Sequence, residues 1–113
     1  MAQVTSYQSI IKDALQEYAK FLTLPPQMPY RVAVVFDDDH YEYLVRKIGW
    51  AQKNRVWQTV LHVSIQNNKI WIEEDWTEEG VATYFLEHGI SNQEIVLGFQ
   101  PPNMREYTEF AAA

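Results

Sequence analysis

Hydrophobic positions change their period along this chain, and the changes mark its elements. Tyr7, Ile10, Ile11, Ala14, Leu15, Tyr18, Phe21 and Leu22 recur at helical spacing, with Thr5 and Gln8 placed as a capping box ahead of them. These residues predict an amphipathic helix. It should end at "TLPPQMPY", where Pro25, Pro26 and Pro29 withhold backbone donors and favour extended turns, a connection rather than a linker between domains. Four strand-like runs follow, "YRVAVVFD", "HYEYLVRKIGW", "RVWQTVLHVSIQ" and "KIWIE", rich in β-branched and aromatic residues. Their separators, "DDD", "AQKN" and "NN", are short enough for hairpins and too short for parallel crossovers, so an antiparallel meander is expected. In the third run, strict alternation sets Trp57, Thr59, Leu61, Val63 and Ile65 on one face. Val56, Gln58, Val60, His62 and Ser64 then share the other, a mixed face that can stay wet or meet another subunit.

Helical spacing returns with Val81, Ala82, Phe85 and Leu86 and stops at His88-Gly89. Asp75 or Thr77 can cap this second helix, and Glu78 and Glu79 should fall in its first turn, where carboxylates oppose the positive end of the helix dipole. Ser91 and Glu94 form a further capping box, opening a short helix before "IVLGF". The order α-ββββ-α-α defines an α+β class: an N-terminal helix, a four-stranded antiparallel meander and C-terminal helices. With 113 residues, 47% of them apolar, the chain should form one domain over its whole length, residues 1 to 113.

Charge adds what the apolar pattern does not. The net value of −6 hides a gradient: residues 1 to 68 carry seven Lys/Arg against six Asp/Glu, and residues 69 to 113 carry two against nine. A surface so acidic attracts basic proteins and repels phosphate backbones. The acids concentrate at Glu73, Glu74, Asp75, Glu78 and Glu79, and the one basic block is Arg46, Lys47, Lys53 and Arg55. Four tryptophans, seven tyrosines and five phenylalanines exceed what so small a core readily encloses, which points to a homo-oligomer, a dimer in the simplest case. No apolar run is long enough to span a bilayer and the N-terminus has no signal-peptide pattern, so a cytoplasmic protein is expected.

Catalytic signatures are sparse. Cysteine is absent, which excludes disulfides, thiolate zinc sites and cysteine nucleophiles. The three histidines, His40, His62 and His88, lie in separate elements without metal-ligand spacing. A metal-dependent hydrolase would gather carboxylates around a cation and usually add a lysine to position water, but no (D/E)-x-K tripeptide occurs. Asp37, Asp38 and Asp39 suit a hairpin tip, where aspartate bonds its own backbone. "EGVATYFLEHGISNQEIVLGF" has the outline of a helix-turn-helix, yet its second helix would offer Asn92, Gln93 and Glu94 with no Arg or Lys. No catalytic residue, metal site or cofactor is expected.

Together "DHYEYLVRKIGW", "RVWQTVLHVSI", "KIWIEEDWTEEGVA", "HGI", "EIVLGFQPPNMREYT" and the closing "FAAA" resemble the XisI family, the excision controlling factor of the cyanobacterial fdxN element. The matching positions include His40, Tyr41, Trp50, Trp71, Asp75, Thr77, Glu78, Gly80 and Arg105, none of which carries over a catalytic role. The departures are "SNQE", where members often have a Pro-Lys-containing turn, and the ending "EFAAA". The resemblance implies an accessory factor for programmed excision of a DNA element, working beside a site-specific recombinase and an XisH-type protein similar to endonuclease-fold nucleases. On this reading Glu73, Glu74, Asp75, Glu78, Glu79 and Arg105 would serve partner binding, with no strong DNA binding by the chain alone. The alternative is a DNA-binding directionality factor using Arg46, Lys47, Lys53 and Arg55; the remote alternative is a small metal-dependent hydrolase.

Overall fold

The computed structural model describes residues 2–23 and 29–113. A long helix, α1 (Ala2–Leu22), crosses one face of a five-stranded sheet made of β1 (Tyr30–Asp37), β2 (Glu42–Ala51), β3 (Asn54–Gln66), β4 (Lys69–Asp75) and β5 (Ile95–Leu97). Between β4 and β5 come α2 (Val81–Glu87) and a 3-10 turn (Asn92–Glu94); a short helix, α3 (Pro102–Arg105), follows the sheet. The α+β class and the antiparallel meander of the first four strands agree with the sequence pattern. Helix α1 begins at Ala2, so Thr5 lies inside it and the expected Thr5–Gln8 capping box does not mark its start. Most of "TLPPQMPY", residues 24 to 28, lies outside the described residues.

The core forms where the helical stripe meets the inner face of the sheet. Tyr7, Ile11, Ala14 and Leu15 pack with Tyr43, Val45, Leu61, Val63, Ile65, Ile70 and Ile72, while Val81 and Phe85 of α2 close one side. Each fully buried aliphatic side chain contributes about 1.5–3 kcal/mol, so this stripe supplies much of the driving force. Phe21 departs from its predicted place and is 79% exposed.

Hairpin connections follow the residues that tolerate them. Asn67 and Asn68 both take positive φ, 53° and 59°, as a two-residue turn of the primed type requires. Gln52, at the β2–β3 turn, is also left-handed.

Two departures from the meander reshape the molecule. The first is β5, which adds to β4 in parallel, Ile70 opposite Ile95 and Ile72 opposite Leu97. The segment through α2 provides the long crossover that such pairing needs, and a three-residue strand has too little pattern to show itself in sequence. The second is a bulge: Thr59 pairs with Arg46 and Leu61 with Val45, so Val60 is an extra residue in β3. Alternation resets there. Trp57 and Thr59 consequently face outward and do not share a face with Leu61, Val63 and Ile65, a correction to the strict-alternation reading.

Candidate functional site

Sheet geometry divides the basic block. Arg46 and Arg55 project from the outer face, which α1 does not cover, their guanidinium carbons 4.3 Å and 5.3 Å from the ring centre of Trp57. Arg55 also lies 5.3 Å from the ring of Trp50. Lys47, one residue from Arg46, points to the opposite face and sits over Tyr30 at 4.9 Å. Lys53 is exposed at the β2–β3 turn. No ion pair to a carboxylate forms at any of these four among the described residues, and Arg46 Nε is buried without an acceptor, its charge offset by the Trp57 ring.

The acidic run is likewise dispersed over several tasks. Glu73, at a second bulge, turns to the outer face; its Oε1 accepts from Ser64 Oγ at 3.3 Å and from Gln66 Nε2 at 3.3 Å. Glu74 Oε2 accepts from Trp76 Nε1 at 2.7 Å. Asp75 organises the loop into α2: Oδ1 accepts from the Thr77 amide (2.9 Å) and hydroxyl (2.6 Å), and Oδ2 from the Val81 amide (2.7 Å). Thr77 Oγ1 in turn accepts from the Gly80 amide at 3.1 Å. Both expected capping residues therefore take part. Glu78 and Glu79, however, precede α2 and stand outside its first turn, because Gly80 is the N-cap with a φ of 84° that favours glycine. They are exposed and, among the described residues, form no ion pair.

Beside them, a groove of about 280 Å³ opens between the C-terminal end of α1 and the β2–β3 hairpin, lined in part by Tyr18, Phe21, Lys47, Trp76, Glu78 and Glu79. Trp76 is 67% exposed at its rim. A neighbouring depression adds Glu17, Tyr84 and His88. Burial raises the Tyr18 hydroxyl above its ordinary range, helped by the carboxylates of Asp75 and Glu79, so it remains a neutral donor or acceptor. Aromatic surface framed by unpaired carboxylates is suited to an apolar segment carrying Lys or Arg. The periodicity of α1 missed this feature by assigning Phe21 to the core.

Arg105 lies elsewhere. It stacks on Trp71 at 5.0 Å on the outer face and donates to the carbonyls of Gln100 (3.1 Å) and Gly98 (3.3 Å), holding the C-terminal loop against β4. The structure does not bring it to Glu78 and Glu79.

The other candidates have local roles. Asp38 pairs with Lys12 at 2.9 Å and accepts from Tyr43 at 2.8 Å; these bonds, that of Lys12 first, lower its carboxyl pKa. Asp37 accepts from the His40 amide at 3.1 Å, the turn role expected of it. His62 pairs with Glu42 at 2.6 Å, and His88 stacks on Tyr84. No group of three or more metal-ligating side chains occurs among the described residues. The segment after α2 is a 3-10 turn running into β5, so no recognition helix forms. No helix among the described residues is long and apolar enough to cross a membrane.

A helix laid across one face of a bulged, mostly antiparallel five-stranded sheet defines a small α+β domain. Comparison places it further. The model of the XisI protein family matches residues 1–112, and the chain belongs to that family. Two solved structures are similar over nearly the whole of both chains. One, described as the fdxN element excision controlling factor XisI from Anabaena variabilis, is 35% identical with a TM-score of 0.87, covering 98% of this chain and 99% of that one. The other, a XisI-like protein from Anabaena variabilis, is 29% identical with a TM-score of 0.90, covering 97% and 99%. Among curated proteins there is no significant match.

Proposed function

We propose that this chain is an accessory factor in the excision of a DNA element, acting by protein contact rather than by chemistry of its own. The excision role rests on family membership, since a relative 35% identical bears the name of an excision controlling factor. The mode of action rests on one observation above the others: Glu78 and Glu79 flank a groove whose rim exposes Trp76 and Phe21. An aromatic anchor provides binding energy, and unpaired carboxylates select a positively charged partner and speed its capture. A basic DNA-processing protein has that chemistry, and the XisH-type neighbour implied by the sequence resemblance is the first candidate, followed by a recombinase. Covering such a protein's basic surface would control its access to DNA.

The test is association kinetics with the purified XisH-type protein. Reversal of both carboxylates, Glu78→Lys/Glu79→Lys, should slow association, most severely at low ionic strength where steering acts furthest. Arg46→Glu/Arg55→Glu, on the opposite face of the sheet from the groove, is the control and should slow it less. Equal association rates for wild type and the folded Glu78→Lys/Glu79→Lys variant refute the acidic groove as the docking site.

A further inference from the structure

The outer face of β1–β3 carries no helix, and its side chains form a charge pattern running along the strands. At one end Arg46 and Arg55 stack on Trp57 and Trp50, which are 57% and 58% exposed. At the other end Asp37 and Glu42 lie opposite one another in the β1–β2 register, with their carboxylates beside His40 and His62. Between the ends the exposed apolar surface continues through Val35, which is 47% exposed and pairs with Leu44. Basic and acidic ends on one apolar face are complementary to the same face turned end for end.

We infer that this face is the interface of a two-fold symmetric homodimer in which two sheets stack with their strands antiparallel. Of the two in-plane two-fold axes open to such a stack, one runs along the strands and would set arginine over arginine. The other runs across the strands and sets the basic end of each copy over the acidic end of its mate. Electrostatics selects the second. Arg46 leans onto Trp57, which pairs with Ile48, so an axis crossing β2 beside Val45 brings its guanidinium to the level of Glu42 across the interface. Stacked sheets lie about 10 Å apart, room for the tryptophan and arginine side chains to interleave. Three strands spaced about 4.8 Å apart and about 27 Å long give a footprint of roughly 400 Å² per copy in projection, at the small end for a stable dimer, so dissociation in the micromolar range is expected.

This interface lies on the opposite side of the sheet from the groove at Glu78 and Glu79, so its failure and the failure of that docking site are separable. The experiment uses single charge reversals and analytical ultracentrifugation. Wild type should sediment as a dimer at about 50 µM. Arg46→Glu alone and Glu42→Lys alone, each folded by circular dichroism, should raise the dissociation constant at least tenfold, because each places like charges together twice in its own dimer. An equimolar mixture of the two should recover dimers with near wild-type affinity, since the mixed dimer contains only opposite-charge pairs. A merely destabilising effect of either substitution would not produce that rescue. Monomeric wild type at about 50 µM, absence of rescue in the mixture, or indifference to both reversals each overturns the proposal. So does capture of a fluorescent oligothymidylate by the tryptophan and arginine surface at about 150 mM salt, lost in Arg46→Glu, which would assign the platform to single-stranded DNA.

Discussion

The hydroxyl of Tyr7 donates to Glu94 Oε1 at 2.5 Å, joining the first turns of α1 to the 3-10 turn that delivers β5. The other carboxylate oxygen accepts from the Ser91 amide at 2.7 Å, the reciprocal bond of a capping box. A single carboxylate therefore ties the two ends of the chain's fold together. Tyr7→Phe removes a hydrogen bond to a charged group and should cost about 1.5 kcal/mol, read as a lower urea midpoint with an unchanged slope.

The same pair sets a pH dependence at both extremes. Its bond to Tyr7, then that to the Ser91 amide, lowers the Glu94 carboxyl below its ordinary 4.5, so its stabilisation is present above that value and is lost as pH falls through the lowered one. Tyr7 moves the other way, pushed up to about 12 first by burial and then by Glu94. Its contribution is complete below pH 10 and disappears between about 10 and 12, where the unfolded phenol ionises and the folded one does not. Urea titrations should show wild type losing stability faster than Tyr7→Phe in both windows.

Asp75 is the strongest single test of the acidic stretch as structure. Replacing it with alanine deprives Thr77 and Val81 of three bonds at the start of α2 and should cost about 2–3 kcal/mol. Glu78→Lys/Glu79→Lys, outside the helix and exposed, should change stability by no more than about 0.5 kcal/mol. Chemical denaturation of both variants checks the contrast, and equal losses would show that the two kinds of carboxylate share one role.

Gly49 is demanded by space. A Cβ there would lie 2.4 Å from the Pro29 carbonyl oxygen and 2.7 Å from the Tyr30 Cα, backbone atoms that cannot swing aside. Gly49→Ala should destabilise by about 2–3 kcal/mol through separation of β1 from β2, seen as a reduced melting temperature and faster amide exchange in β1.

Duplex DNA should be a poor ligand for the isolated chain. Arg46 and Arg55 are on one face, Lys47 is on the other and Lys53 is at a turn, so few phosphates can be neutralised together. Gel shifts with duplex at about 150 mM salt should show no sub-micromolar complex. Such a complex would restore direct DNA binding as the leading function.

Local patterns were legible wherever a run of residues carries its own period. The stripe of α1, the first four strands, the asparagine turn at Asn67-Asn68 and the capping roles of Asp75 and Thr77 all follow from interactions among neighbours in sequence. Candidate surfaces were legible only as composition: the acidic run and the basic block could be seen, but not their division between faces.

That division belongs to tertiary structure. One extra residue, Val60, reverses the facing of Trp57 and Thr59, and bulges depend on how two strands pair rather than on either strand alone. The parallel pairing of β5 with β4, the stacking of Arg105 on Trp71 and the Tyr7–Glu94 bond join segments distant in sequence, so no local period announces them. By itself the sequence determined which of the longer segments become helix or strand, α1, β1 to β4 and α2, because those choices are made by backbone preferences and the spacing of apolar side chains. Only the folded chain decided which charges share a surface, because that depends on register, on the twist and bulging of the sheet, and on which face α1 covers.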